Sequence, residues 1–260
     1  MPDDDARPLP VPGASRTQAD PGVALITQYF RSKSDPAQQR DVDTALVKNL
    51  ANPHISELYL LTEERLDLAT LGFPHGGRPG ETVTREAGGV DRLGKLRQVV
   101  VGERLTFATA LSFANERLAG RTVALANADI YFDESLRRLR GADLRGHVFA
   151  LLKWLDGARH GRDEIVLNLR TDSQDAWVFQ PPLNASVVLE AQFVMGATKC
   201  DNRIAEIFAV SGHPVSNPAF ALHAVEIHTT ERDKSGLYGT KGAPWGPTRE
   251  VLLSDQTVFG

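Results

Sequence analysis

The sequence predicts an α/β protein, with a Rossmann-like, mostly parallel central sheet in a single domain. Three observations lead there. Short apolar runs of strand length alternate with segments whose apolar residues recur at helical spacing. No Pro-, Ser- or Gly-rich linker divides the 260 residues, so one large core is the simpler arrangement. Finally, residues 123–133 read V-A-L-A-N-A-D-I-Y-F-D, an apolar strand running out into an amide and a carboxylate, which is where open α/β sheets bind ligands.

Taken in order, residues 1–21 hold five prolines and several acids and are expected to be a disordered tail. Residues 23–30 read as a buried strand. Residues 40–50 place Val42, Ala45, Leu46 and Leu50 on one helical face, and Asn52-Pro53 stops that helix. A second strand spans 55–61 and ends in Thr62-Glu63-Glu64. Residues 72–94, rich in Gly and Pro, read as a loop, and 96–101 as a third strand. Thr106 is a suitable N-cap for a helix burying Phe107, Leu111, Ala114 and Leu118 and closed by Gly120. The fourth strand is 123–126. Asp133 can cap a short helix with Leu136 and Leu139 inward, and 147–152 is the fifth strand. Residues 187–195 read as another extended segment. Asp201 then caps a helix through Ile204, Ile207 and Phe208, ended by Gly212-His213-Pro214. Residues 221–227 form a last strand. Residues 231–260 are polar and show no period.

Composition excludes several classes. With 42% hydrophobic and 24% charged residues the chain is of ordinary globular type, and a net charge of -4 argues against a nucleic-acid partner. Cys200 is the one cysteine, so there is no disulfide framework or thiolate cluster, which suits a reducing compartment. No apolar run reaches the ~18 residues of a membrane span. The acidic, Pro-rich start is unlike a signal peptide. The expectation is a soluble cytoplasmic protein, or one peripheral to a membrane.

Four clusters carry chemistry. Asn127 and Asp129 set an amide and a carboxylate side by side, as a diphosphate with Mg²⁺ or Mn²⁺ needs; a strand-to-helix turn satisfying its own backbone donors explains them equally. Asp175, in Ser173-Gln174-Asp175-Ala176-Trp177, can take a proton from a hydroxyl attacking an anomeric carbon. Trp177 can stack on an apolar sugar face or pack with Phe179 in the core. The loop 196–203 offers amides, Asp201 and Asn202 to an anion or a hydroxyl-rich ligand, although Asp201 also suits an N-cap, and Cys200 reads as a small buried residue. On the last strand Glu226 and His228 share a face opposite His223; His228 suits a metal or a phosphate, and Arg232 a phosphate.

In their order, these pieces resemble a family of small glycosyltransferases of the GT-A (nucleotide-diphospho-sugar transferase) fold from bacterial surface-polysaccharide assembly of the capsule and O-antigen type. The resemblance covers about residues 23–232. It rests on I-T-Q-Y-F at 26–30, R-L-T-F at 104–107, F-A-N at 113–115, A-N-A-D-I-Y-F-D at 126–133, S-Q-D-A-W-V-F at 173–179, G-A-T-K-C-D-N-R-I-A at 196–205, G-H-P-V-S-N-P at 212–218 and E-I-H at 226–228. It implies a GT-A domain over 22–245 with a tail at 246–260, and sugar transfer from a nucleotide diphosphate to a glycan hydroxyl, with inversion. It implies that Thr27 and Gln28 lie at the nucleotide end of the first strand, that Glu63 touches the base or ribose, and that Arg104 reaches the diphosphate. Asn127 and Asp129 stand at the D-x-D metal motif and Asp175 at the catalytic base. Asp129 and His228 then hold a divalent cation, Mn²⁺ or Mg²⁺. The sequence departs from the pattern at Asn127, where the motif has Asp, and at Glu226-Ile227-His228, where an H-x-H pair is expected. The implied partners are the sugar donor, a glycan acceptor and a larger assembly complex.

Two other readings compete. A sugar nucleotidyltransferase needs a Gly-rich basic loop after the first strand, and this chain has T-Q-Y-F-R-S-K-S there. A non-catalytic nucleotide-sugar-binding module shares every feature above.

Overall fold

The computed structural model describes residues 22–32, 35–67, 94–157, 164–228 and 244–254. The first 21 residues, residues 68–93, where a loop is expected from the sequence over 72–94, and residues 229–243, Arg232 among them, lie outside the described residues.

The chain opens β1 (Val23–Gln28), α1 (Pro36–Ala51), β2 (Ile55–Thr62), β3 (Leu96–Val100), α2 (Phe107–Arg117) and β4 (Val123–Ala126). Both α1 and α2 start where a side chain meets their free amides. Asp35 Oδ1 accepts from the N–H groups of Ala37 and Gln38, with Pro36 in the first turn. Thr106 Oγ1 accepts from Thr109 N–H, as its sequence position predicts. The four strands lie parallel in the order β3-β2-β1-β4. This is the order of a Rossmann half-sheet.

The second half is β5 (Ile130–Phe132), a 3-10 helix (Glu134–Leu139), β6 (Val148–Leu155), β7 (Val166–Leu167), β8 (Gln174–Phe179), α3 (Ala185–Glu190), α4 (Cys200–Val210), β9 (Val215–Ser216) and β10 (Ala224–Glu226). It continues the sheet as β4-β8-β6-β10-β5. Strand β8 runs antiparallel between β4 and β6, so β6 points the same way as β4. Seven of the ten described strands share one direction and β5, β7 and β8 oppose it. The α/β, mostly parallel expectation therefore holds.

Two apolar cores cover the two faces of this sheet. Phe107, Leu111, Trp177, Phe179 and Phe208 pack on one side under α2, α3 and α4. Val42, Leu46, Leu50, Leu136, Leu139, Phe149 and Val178 pack on the other under α1 and the 3-10 helix. Alternation along β8 sends Trp177 and Phe179 to the first core and Ala176 and Val178 to the second. Burying each large side chain contributes about 1.5–3 kcal/mol.

The edge strand β5 is closed by side chains. Asn49 donates to Ile130 O at 2.8 Å and accepts from Phe132 N–H at 3.0 Å, acting as a surrogate peptide, while Asn52 donates to Phe132 O at 2.9 Å. A bare strand edge would leave these groups unpaired. The arrangement holds Asp129 and Asp133 at the two ends of β5.

Three sequence expectations are corrected. The expected extended segment at 187–195 is helical in its first part, where 187–190 belong to α3, while 191–195 lie outside any helix and Val194 makes an isolated antiparallel bridge to Thr106. Asp201 does not cap α4; Lys199 occupies the N-cap with φ 65° and Asp201 sits inside the first turn. Residues 174–179 are a core strand and 130–132 an edge strand, where the sequence suggested only a polar cluster and a turn. Among the described residues no helix is long and apolar enough to cross a membrane.

Candidate active site

The carboxyl ends of β1, β4, β6 and β10 and the amino end of the antiparallel β8 converge on a cavity of about 470 Å³. That convergence follows from topology: reversing β8 puts its first residues where its neighbours have their last. Asn127, just past β4, donates its backbone N–H to Asp175 O at 3.0 Å. Its side-chain Nδ2 donates to Asp175 Oδ1 at 2.7 Å.

From Asp175 a line of charge crosses the cavity floor. Lys153 Nζ lies 3.3 Å from Asp175 Oδ2 and 3.1 Å from Glu226 Oε1. Burial alone would lower the Lys153 pKa, but the Asp175 and Glu226 carboxylates, with Asp129 behind them, outweigh it and raise it. Burial alone would likewise raise the Glu226 carboxyl. His228 and Lys153 oppose this and hold it below the usual carboxylate range. His228 Nδ1 lies 3.9 Å from Glu226 Oε1 and Lys153 Nζ 3.1 Å from the same oxygen.

The opposite wall is the entry to α4. Gly196 at φ 75° and Lys199 at φ 65° turn the chain sharply, a conformation that costs a non-glycine residue about 1 kcal/mol or more. This aims the first turn of α4 at the cavity. Asp201 Oδ2 accepts from Gln174 N–H at 3.2 Å, tying α4 to the start of β8. Its carboxyl is pushed up to about 6, first by burial and then by the Asp175 charge. Cys200 beneath it is buried, and burial with the Asp201 charge pushes its thiol up to about 12. It is packing, not a nucleophile.

Buried polar atoms almost always find partners. Here Asn127 Oδ1, Gln174 Oε1, Asp175 Oδ2, Thr198 Oγ1 and His228 Nε2 are buried with no hydrogen-bond partner among the described residues, and all five residues line this one cavity. For Asp175 Oδ2 the Lys153 contact is an ion pair without hydrogen-bond alignment. Gln174 is fully buried, and its other amide atom is spent on Thr171 O at 2.7 Å.

Of the residues singled out by sequence, Gln28, Arg104, Asn127, Asp129, Asp175, Asp201, Asn202 and His228 all line the cavity. Three do not. Thr27 is buried in the sheet, with its hydroxyl turned to Gln28 O at 3.4 Å. Glu63 is exposed beyond the end of β2 and outside the lining. Trp177 is 0% exposed and packs edge-on against Phe107, with ring centroids 4.8 Å apart, so it cannot stack on a sugar. Arg232 is outside the described residues. Lys153 and Gln174 were not singled out. The signal for Lys153 was present, as a single charge inside the buried run V-F-A-L-L-K-W-L, where an unpaired ammonium is costly.

A divalent cation suits part of this wall. Five carboxylates, Asp129, Asp172, Asp175, Asp201 and Glu226, line the cavity, Asn127 Oδ1 is a hard oxygen donor without a partner among the described residues, and His228 Nε2 can add an imidazole ligand in the tautomer that leaves it unprotonated. Among the described residues no three His, Cys, Asp or Glu side chains form a cage by themselves. A cation bound jointly by one or two side chains and phosphate oxygens needs no such cage.

No family model matches the chain, and no curated protein matches its sequence. Among solved structures it is similar to the mannosyltransferase PcManGT from Pyrobaculum calidifontis, solved with GDP-Man and Mn²⁺, at 13% identity over 83% of this chain with a TM-score of 0.46. The chain spans 60% of the length of that solved chain. At that distance the functional reading rests on this chain's own residues.

Proposed function

We propose that the protein is a glycosyltransferase that moves a sugar from a nucleotide-diphosphate donor to a hydroxyl of a glycan acceptor, with inversion at the anomeric carbon. One observation carries this reading. Three buried oxygens that can only accept, Asn127 Oδ1, Gln174 Oε1 and Asp175 Oδ2, face a single cavity that also presents Arg104 and Lys199. The oxygens call for a ligand rich in hydroxyl donors, and the basic side chains call for an anionic group. A nucleotide sugar has both.

In this reading Arg104 and the turn at Asn127 and Asp129 receive the diphosphate, and Gln28 faces the nucleoside. Asp175 accepts the proton of the acceptor hydroxyl as its oxygen bonds to the anomeric carbon and the carbon–diphosphate bond breaks. Asn127 and Lys153 hold the Asp175 carboxylate at its two oxygens, and Asp201 and Asn202 face the acceptor. A cation held by Asp129 and His228 would supply Lewis-acid neutralisation of the departing diphosphate. The sequence motifs support a setting in surface-polysaccharide assembly.

The test is a melting-temperature screen of GDP, UDP and dTDP with and without Mn²⁺, followed by donor turnover with the matching sugar nucleotide. One nucleotide is expected to stabilise the protein and its sugar donor to be consumed. If no nucleoside diphosphate stabilises the protein under either condition, the reading fails. Binding without turnover on any acceptor would favour the non-catalytic module.

A further inference from the structure

The ladder between β5 and β10 has two ends. Asp129, Glu226 and His228 stand at one, on the cavity already described. At the other, Asp133 follows β5 and His223 precedes β10. Four residues of extended chain separate the two ends of β5, about 13 Å at ~3.3 Å per residue. A second cleft of about 340 Å³ opens there, lined by Asp133, Ser135, Arg137, Arg138, Phe220 and His223 among others.

His223 is held firmly. Its Nδ1 lies 2.8 Å from Asp133 Oδ2, and its backbone N–H donates to Ser135 Oγ at 2.8 Å. Its ring packs on Trp154 with centroids 4.7 Å apart, and Trp154 is itself pinned by Nε1 donating to Ala219 O at 2.8 Å. Nε2 is the ring nitrogen left for a ligand. Ser135 Oγ is taken by the backbone rather than the imidazole, so no serine nucleophile is paired with a base. The cleft is arranged for binding, not cleavage.

Arg137 and Arg138 are exposed on the 3-10 helix, whose Leu136 and Leu139 face the core. Neither guanidinium has an ion-pair partner among the described residues. Glu134, at the spacing that would pair with them, is bound instead to His54 Nε2 at 2.9 Å. Phe220, 51% exposed, forms an apolar wall. The cleft also holds the carboxylates of Asp133 and Glu134, but these are engaged by His223 and His54, which leaves the two guanidiniums, without an ion-pair partner among the described residues, as the groups that can receive an anion beside the oriented imidazole.

We infer that this cleft is a second binding site, taking a phosphate-class anion through Arg137, Arg138 and His223 Nε2, with an apolar part of the ligand against Phe220. The site is independent of the reading of the first cavity.

The test uses the full chain and follows the His223 imidazole resonances by NMR during titration with inorganic phosphate and glycerol phosphate. A parallel arm measures flotation with vesicles of phosphatidylglycerol against phosphatidylcholine. Saturable shifts at His223 are expected, with affinity at least about tenfold weaker in R137Q/R138Q at an unchanged melting temperature. The single variant R138Q, weakened to a lesser degree, stands in if the pair disturbs folding. Arginine-dependent flotation with the anionic vesicles alone would identify a lipid headgroup as the source, and its absence beside phosphate binding would identify a soluble ester. The inference is overturned if the variants bind as wild type does, or if neither phosphate nor vesicles engage the cleft.

Discussion

Lys153 and Asp175 form a half-buried ion pair between neighbouring antiparallel strands, Nζ to Oδ2 at 3.3 Å, and the same ammonium reaches Glu226 at 3.1 Å. Each charge in this line is tolerable only because its neighbours are present. Removing one partner from a fully buried pair typically costs about 3–5 kcal/mol, and a half-buried pair such as this one lies toward the lower end. Lys153→Met is therefore expected to lower the melting temperature by on the order of 10 °C at neutral pH, with Lys153→Arg recovering part of the loss. A drop of less than about 2 °C for the methionine variant would mean the pair is solvated and structurally idle.

Asp175→Asn separates chemistry from binding. The amide keeps the shape, and Lys153 keeps Glu226, so nucleotide-sugar affinity measured by calorimetry is expected to change little. Transfer is expected to fall by at least ~100-fold through loss of the general base. Turnover at the wild-type rate would remove Asp175 from the mechanism.

Asn127→Asp probes the cation. The Asn127 amide donates to Asp175 Oδ1 at 2.7 Å, and a carboxylate there would face a carboxylate. The variant is expected to melt below wild type in chelator, and to gain more from Mn²⁺ than wild type does, because the ion screens the new repulsion. Equal Mn²⁺ responses in the two proteins would place the ion elsewhere.

Asp201 gives a pH signature. Its carboxyl is pushed up to about 6 from an ordinary 3.8 by burial and the Asp175 charge. A group that binds its proton more tightly when folded adds stability below the unfolded value, and that stability is lost as pH rises through about 6. Near neutrality and above, its ionised form costs on the order of 2–3 kcal/mol. Asp201→Asn should thus melt above wild type at about pH 7.5, with the gap closing near pH 4. Thermal melts across that range decide it, and a variant less stable than wild type at the higher pH would contradict the assignment.

Much of the first half of the fold was legible in the chain. Helical spacing at Val42, Ala45, Leu46 and Leu50 marked α1, Thr106 marked the start of α2, and the four apolar residues 123–126 are β4 as observed. These signals are local, since a period of 3.6 or 2 and a capping hydroxyl act within a few residues. The second half was harder. The run 187–195 reads as extended because Ala191, Phe193 and Met195 are buried in alternation, and the six-residue helix that precedes them leaves little period to detect. β8 was hidden because its polar start, Gln174 and Asp175, resembles a turn until β4 and β6 are seen on either side.

The sequence by itself determined the α/β alternation and the chemical types gathered near Asn127, Asp129, Asp175 and His228, because residue type and spacing govern what can be buried. Only the tertiary structure decided that β8 inserts antiparallel between β4 and β6, that Lys153 bridges Asp175 and Glu226, and that Trp177 faces the core instead of a sugar. Those outcomes depend on strand order and register. Residues tens of positions apart meet only when the whole sheet is assembled, and a buried charge reveals its partner only there.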